Sequence, residues 1–143
     1  MGRRVVAAAA IVAFGALAAP VGGSGEVRVA PSLDWAHALA IQPDGKLVVA
    51  GRSASGAWRF AVARFAARGR LDPTFGSGGK VRTALAGNRA EAEGVTVDHS
   101  GRIVVAGRTT VASIVDGVAL ARYTGRGTLD RTFGRDGKVV TAF

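Results

Sequence analysis

The sequence predicts an all-β protein built from two four-stranded antiparallel units in tandem, with one extra strand. Three observations carry this expectation. A stretch of roughly fifty residues occurs twice. Each copy is a series of short apolar runs cut by Gly-, Asp- and Pro-bearing turns. Beyond the first nineteen residues, no window sustains a helical period of apolar positions.

The repeat emerges when the chain is aligned with itself. Residues 36–52, AHALAIQPDGKLVVAGR, match residues 92–108, AEGVTVDHSGRIVVAGR, at an offset of 56. Residues 60–85, FAVARFAARGRLDPTFGSGGKVRTAL, match residues 118–143, VALARYTGRGTLDRTFGRDGKVVTAF, at an offset of 58. The two-residue difference is an insertion between the matched segments, and insertions belong in loops. The two units therefore run over about 36–85 and 92–143 within a repeat segment of 26–143.

Each unit reads as strands. Ala38–Ile41 is a short apolar run, and Pro43-Asp44-Gly45 marks a hairpin turn in which Asp44 and Gly45 both tolerate positive φ. Leu47–Ala50 is apolar and rich in valine, and Phe60–Phe65 is a third strand. Leu71–Gly76 is a compact loop with Phe75 as an aromatic plug, and Phe133 takes the same role in the second copy. Lys80–Ala84 is a fourth strand. Four short strands with turn punctuation describe a propeller blade.

Gly25–Ala30 resembles Gly79–Ala84, so the tail of a further unit precedes the two full ones. If Val27–Ala30 opens the first blade, Lys80–Thr83 opens the second. Lys138–Thr141 is then the surplus strand of an incomplete ring. Propellers close with about four to eight blades. The expectation is a homo-oligomer of about two to four chains joined through blade edges, or a segment of a longer propeller.

The run PDGKLVVAGR, then FAVARF, then LDPTFGSGGKV resembles the delta-60 repeat of bacterial β-propeller proteins. The loops Leu71-Asp72-x-Thr74-Phe75-Gly76 and Leu129-Asp130-x-Thr132-Phe133-Gly134 carry most of that likeness. The resemblance implies propeller blades of exported or surface proteins and brings no catalytic residues with it.

The first residues read as an address. Met1–Arg4 is basic, and Val5–Ala19 is uncharged and rich in Ala and Val. Fifteen residues of helix rise about 22 Å, short of a bilayer's hydrocarbon core of about 30 Å. Ala16-Leu17-Ala18 has the small-x-small form of a cleavage site. Residues 1–18 are read as a signal peptide and 19–25 as a flexible leader. The expected location is secreted or on the exterior of the cell envelope, with no stable membrane span after cleavage.

The 143-residue chain is 48% hydrophobic, enough for a packed core, and contains 21 glycines but no cysteine. Disulfides and thiolate metal sites are therefore excluded. The net charge is +9, mostly from arginine, and no run of five or six basic residues occurs. Scattered arginine points away from nucleic acid and leaves a polyanion-binding face open.

Chemical motifs are sparse. Asp72 and Asp130 recur in equivalent loops, where aspartate bonds nearby backbone amides and can pair with Arg64 or Arg122. Such repetition suits structure better than catalysis. His37 and His99 stand at non-equivalent positions, and neither has the companions a zinc site needs. Gly51–Gly56 misses the nucleophile pattern G-x-S-x-G by one position, and Gly78-Gly79-Lys80 lacks the rest of a P-loop. No catalytic residue, metal or cofactor is expected.

The segments that differ between copies, Ser53–Arg59 and Thr109–Gly117, look like recognition loops on a common frame. Trp58 and Arg59 are the candidate binding residues, since a Trp beside an Arg suits sugar stacking or protein contact. The leading expectation is a non-enzymatic exported scaffold for a protein or other ligand. The alternatives are a carbohydrate- or polyanion-binding module and a part of a larger propeller enzyme.

Overall fold

In the computed structural model, residues 34–54, 56–111 and 115–142 are described. The segments read as signal peptide and leader, and the strand expected at Val27–Ala30, lie outside them. Among the described residues no helix is long and apolar enough to cross a membrane.

Eight strands follow one another: β1 (Trp35–Ile41), β2 (Leu47–Ser53), β3 (Arg59–Phe65), β4 (Lys80–Thr83), β5 (Ala90–Val97), β6 (Ile103–Val111), β7 (Val115–Tyr123) and β8 (Lys138–Ala142). They form two antiparallel meanders, β1-β2-β3-β4 and β5-β6-β7-β8. These are the two expected blades.

Strand phasing differs from one expectation. Lys138–Thr141 is not left over: β8 pairs with β7 through Leu120↔Val139 and Val118↔Thr141. Likewise β4 closes the first blade on β3 and does not open the second. The loop that follows the third strand brings the fourth straight back, because Arg64 N donates to Gly79 O and Arg122 N to Gly137 O at 2.9 Å. Local loop closure therefore decides which blade owns the strand.

The first hairpin also departs from a two-residue turn. Gly45 N donates to Gln42 O at 2.9 Å, which places Pro43 and Asp44 at the centre of the turn. Pro43 presets the φ that the first central position needs. Positive φ then falls on Gly45 alone, at 79°.

One core joins the blades. Alternation along β2 and β3 turns Val48, Ala50, Phe60 and Val62 to one face. Ala92, Ile103, Val105, Ala119, Ala121 and Tyr123 of the second blade meet them. Tyr123 Oη donates to Thr83 Oγ1 across this seam at 2.6 Å, so its polar end is paired within the buried layer. Thr109 Oγ1 donates to Ala86 O at 2.5 Å and tethers the inter-blade connection to β6.

Candidate functional site

The 71–76 loop shows why its residues recur. Asp72 Oδ1 accepts from Thr74 Oγ1 at 2.6 Å and from Thr74 N at 3.0 Å. Its Oδ2 accepts from Arg64 Nε at 2.9 Å. The Arg64 guanidinium also lies 4.8 Å from the centre of the Phe75 ring. The second copy repeats the arrangement, with Arg122 Nε donating to Asp130 Oδ2 at 2.8 Å and Thr132 Oγ1 to Asp130 Oδ1 at 2.6 Å.

The Thr74 hydroxyl holds the Asp72 carboxyl below its usual range; the Thr74 amide and Arg64 act the same way, against the cost of burial. Thr132 and its amide do the same at Asp130. Both carboxylates are thus committed to turn geometry.

The repeated plugs are not equally buried. Phe75 is fully buried, whereas Phe133 keeps part of its surface in water. The expectation of two buried plugs holds for the first alone. Gly125–Gly127 of the second blade covers Phe75, and no described residue takes that position over Phe133.

A richer cluster forms where the blades meet at the other end of the strands. Trp58 N donates to Asn88 O at 3.0 Å, and Ala90 N donates to Trp58 O at 3.1 Å. The segment before β3 is thereby stitched to the start of β5. The Arg52 guanidinium stacks on two indoles, 3.9 Å from the ring centre of Trp35 and 3.8 Å from that of Trp58. Arg89 also lies over Trp58, at 5.1 Å.

Glu91 is the buried carboxylate of this cluster. It receives His37 Nε2 at 2.8 Å and Arg108 at 2.9 Å, and Arg52 Nε stands 3.5 Å away. The two β-bulges shape it. His37 is the unpaired extra residue of β1 and Glu93 that of β5, and each leaves the ladder towards this cluster. Glu93 meets Arg108 at 3.2 Å.

Trp58, Arg89, Ala90, Glu91, Arg108, Thr109 and Thr110 line a cleft of about 310 Å³. A larger hollow of about 550 Å³ opens between Leu85–Ala86 and the loop before β8. The smaller cleft is the better candidate, because it gathers several charged groups and an aromatic side chain at one place.

Of the two candidate binding residues, the structure brings Trp58 to the cleft and leaves Arg59 outside it. Arg59 is exposed as the first residue of β3, facing away by strand alternation. The expected second recognition loop, Thr109–Gly117, is largely hairpin: Thr109 pairs with Gly117, Thr110 with Asp116 and Val111 with Val115. Its longer sequence extends β6 and β7.

Sequence reasoning missed Arg52, Arg89, Glu91 and Arg108. The recurrence of arginine after each VVAG run was the available signal for Arg52 and Arg108. Arg89 and Glu91 lie in the connection between repeats, where no internal comparison reaches.

Residues 42–75 and 100–133 match the model of a β-propeller domain of unknown function, DUF5122. Each match runs from the first hairpin turn to the loop phenylalanine, Phe75 or Phe133. Together with the two four-stranded sheets, the matches support a β-propeller repeat family. No curated protein matches the chain.

Proposed function

We propose that this chain is an exported, non-catalytic β-propeller scaffold of the delta-60 type. Its recognition site is the cleft beside Trp58, and its ligand is an anionic group such as a carboxylate of an acidic polysaccharide. One observation carries the reading: Arg52 and Arg108 pair with the buried carboxylate of Glu91, and Arg89 stands in the same cleft over Trp58. Glu91 already serves His37 and Arg108, while Arg89 pairs with no described carboxylate. A cleft with surplus guanidinium favours a planar anion that can take two parallel hydrogen bonds.

Stacking a neutral sugar on Trp58 is the weaker reading, since guanidinium groups already lie over that indole. A catalytic reading is weaker too. Asp72, Asp98 and Asp130 each hold a turn and an arginine, so none is poised for proton transfer.

Calorimetric titration with oligogalacturonate, beside a neutral oligosaccharide of equal length, tests the reading. Binding of the acidic ligand alone is expected, weakening with salt and reduced at least tenfold in Arg89→Ala. Equal binding of the neutral ligand, or an unaltered Arg89→Ala, overturns it. Export is tested separately by N-terminal sequencing of protein from the culture medium. A chain starting near Ala19 is expected, and a membrane-bound product retaining Met1 refutes export.

A further inference from the structure

Strand polarity sorts the loops into two ends. β1 stops at Ile41 and β2 starts at Leu47, β3 stops at Phe65 and β4 starts at Lys80, and the second blade repeats this order. Residues 42–46, 64–80, 98–102 and 122–138 therefore lie at one end of the molecule, and the Trp58 cleft lies at the other. Two contacts join the loops of the two blades there. Arg64 Nη1 donates to Gly125 O at 2.5 Å, and Gly76 N donates to Arg126 O at 2.9 Å.

Charge divides unevenly between the ends. The loop end holds eleven Lys and Arg against five Asp, whereas the rest of the described chain holds five Arg against four carboxylates. Four of the five aspartates already have a cation beside them: Lys46 at Asp44, Arg64 at Asp72, Arg102 at Asp98 and Arg122 at Asp130. Arg68, Arg70, Arg126, Arg131 and Arg135 are exposed. Their guanidinium groups take part in no described ion pair, hydrogen bond or ring contact.

The five follow the loops in order. Arg68 and Arg70 flank Gly69 in the turn after β3, and Arg126 precedes Gly127 in the equivalent turn after β7; both glycines have φ 82°. The bond from Gly76 seats that second turn on the first blade's loop, and Arg131 and Arg135 continue beyond it. Unpaired cations thus run from one blade to the next. Their exposure does not depend on a neighbouring blade. Arg126 stays exposed although its backbone makes the contact between blades. Pro73 and Ser77 hold the places of Arg131 and Arg135 in the first copy, and both stay exposed although the second blade's turn covers their loop.

We infer that this end binds a linear polyanion bearing phosphate groups, at a site separate from the Trp58 cleft and independent of what that cleft takes. Guanidinium suits phosphate because its planar fork offers two parallel hydrogen bonds to one group. Successive cations along the loops meet successive phosphates of a chain, and each contact releases a counterion. Both tryptophans belong to the opposite end, so nucleic-acid bases meet no indole on which to stack. The exposed large apolar side chains of the described residues, Trp35, Leu39, Ile41 and Val118, stand outside these loops, which sets the surface apart from one that inserts into a bilayer.

Calorimetric titration of the full chain with medium-chain inorganic polyphosphate tests this, beside polyglutamate of similar charge and vesicles of phosphatidylglycerol. Polyphosphate should bind about tenfold more tightly than polyglutamate, because only phosphate takes the fork at every repeat. Its affinity should fall steeply as salt rises. The double variants Arg68→Gln, Arg70→Gln and Arg126→Gln, Arg131→Gln should each weaken binding about tenfold and flatten the salt slope by roughly one per arginine removed. These side chains hold no contact within the fold, so circular dichroism should match the parent. Arg59→Gln, Arg89→Gln removes the same charge from the opposite end and should change the affinity less than about twofold. Because Arg89 serves the cleft, this control also lets the two readings fail separately. No binding at about 50 mM salt, equal affinity for polyglutamate, an equal loss in the opposite-end variant, or capture by vesicles without binding of the soluble polymer would each overturn the inference.

Discussion

Gly127 lies across the ring of Phe75, and its missing side chain is what allows the second blade to seal the first. The relationship joins two motifs that are neighbours in each repeat but meet here from different repeats. It also explains why two equivalent loops differ in burial.

That difference sets the first prediction. Phe75→Ala should lower unfolding stability by about 3–5 kcal/mol, the range for large aromatic truncations in cores. Phe133→Ala should cost roughly 1–2 kcal/mol, because the side chain keeps part of its surface in water. Urea unfolding at low protein concentration reads both values. Equal costs would mean that Phe133 is covered in solution.

The arginines behind the plugs should follow the same order. The Arg64 side chain is 6% exposed, against 18% for Arg122, and Arg64 reaches Gly125 O across the blades. Arg64→Met leaves the Asp72 carboxylate with Lys46 alone, 3.7 Å away, and should cost about 3 kcal/mol, the low end of the range for a broken buried pair. Arg122→Met should cost clearly less. Thermal unfolding of the two variants side by side decides the order.

Acid stability should depend on the loop carboxylates. Asp72 and Asp130 have folded pKa values held below the unfolded value, which lies near 3.9. Their contribution is therefore complete above that value. As pH falls below it, the unfolded chain takes up protons first, and stability drops until the folded carboxylates are protonated too. The urea midpoint should fall between about pH 5 and pH 2. The double variant Asp72→Asn, Asp130→Asn should show a shallower fall, and an unchanged slope would assign the acid sensitivity elsewhere.

Tyr123 predicts the opposite limb. Burial pushes its hydroxyl up to about 12, although the bond to Thr83 pulls the other way. The unfolded phenol ionises near 10. Below about pH 10 both states are protonated, and the contribution is complete. Between about 10 and 12 only the unfolded chain loses its proton, so stability falls as pH rises, by about 3 kcal/mol at most. Tyr123→Phe should remove this component of the alkaline loss. It should also cost about 1 kcal/mol at neutral pH, where Thr83 loses its partner. Guanidinium unfolding from pH 8 to 12 measures both effects.

The sequence by itself determined the repeat, the strand segments and the pairing of Arg64 with Asp72 and Arg122 with Asp130. These depend on alternation, on turn chemistry and on partners eight residues apart, all of which are short-range requirements written into each copy. The tertiary structure decided the rest. Ownership of β4 and β8 follows from loop closure, which a strand's own composition does not express. The meeting of His37 and Arg52 with Glu91, and of Arg89 with Trp58, joins positions from both blades. Phe75 and Phe133 carry the same local code. Their different burial depends on whether another blade stands over them, and only the packed arrangement supplies that neighbour.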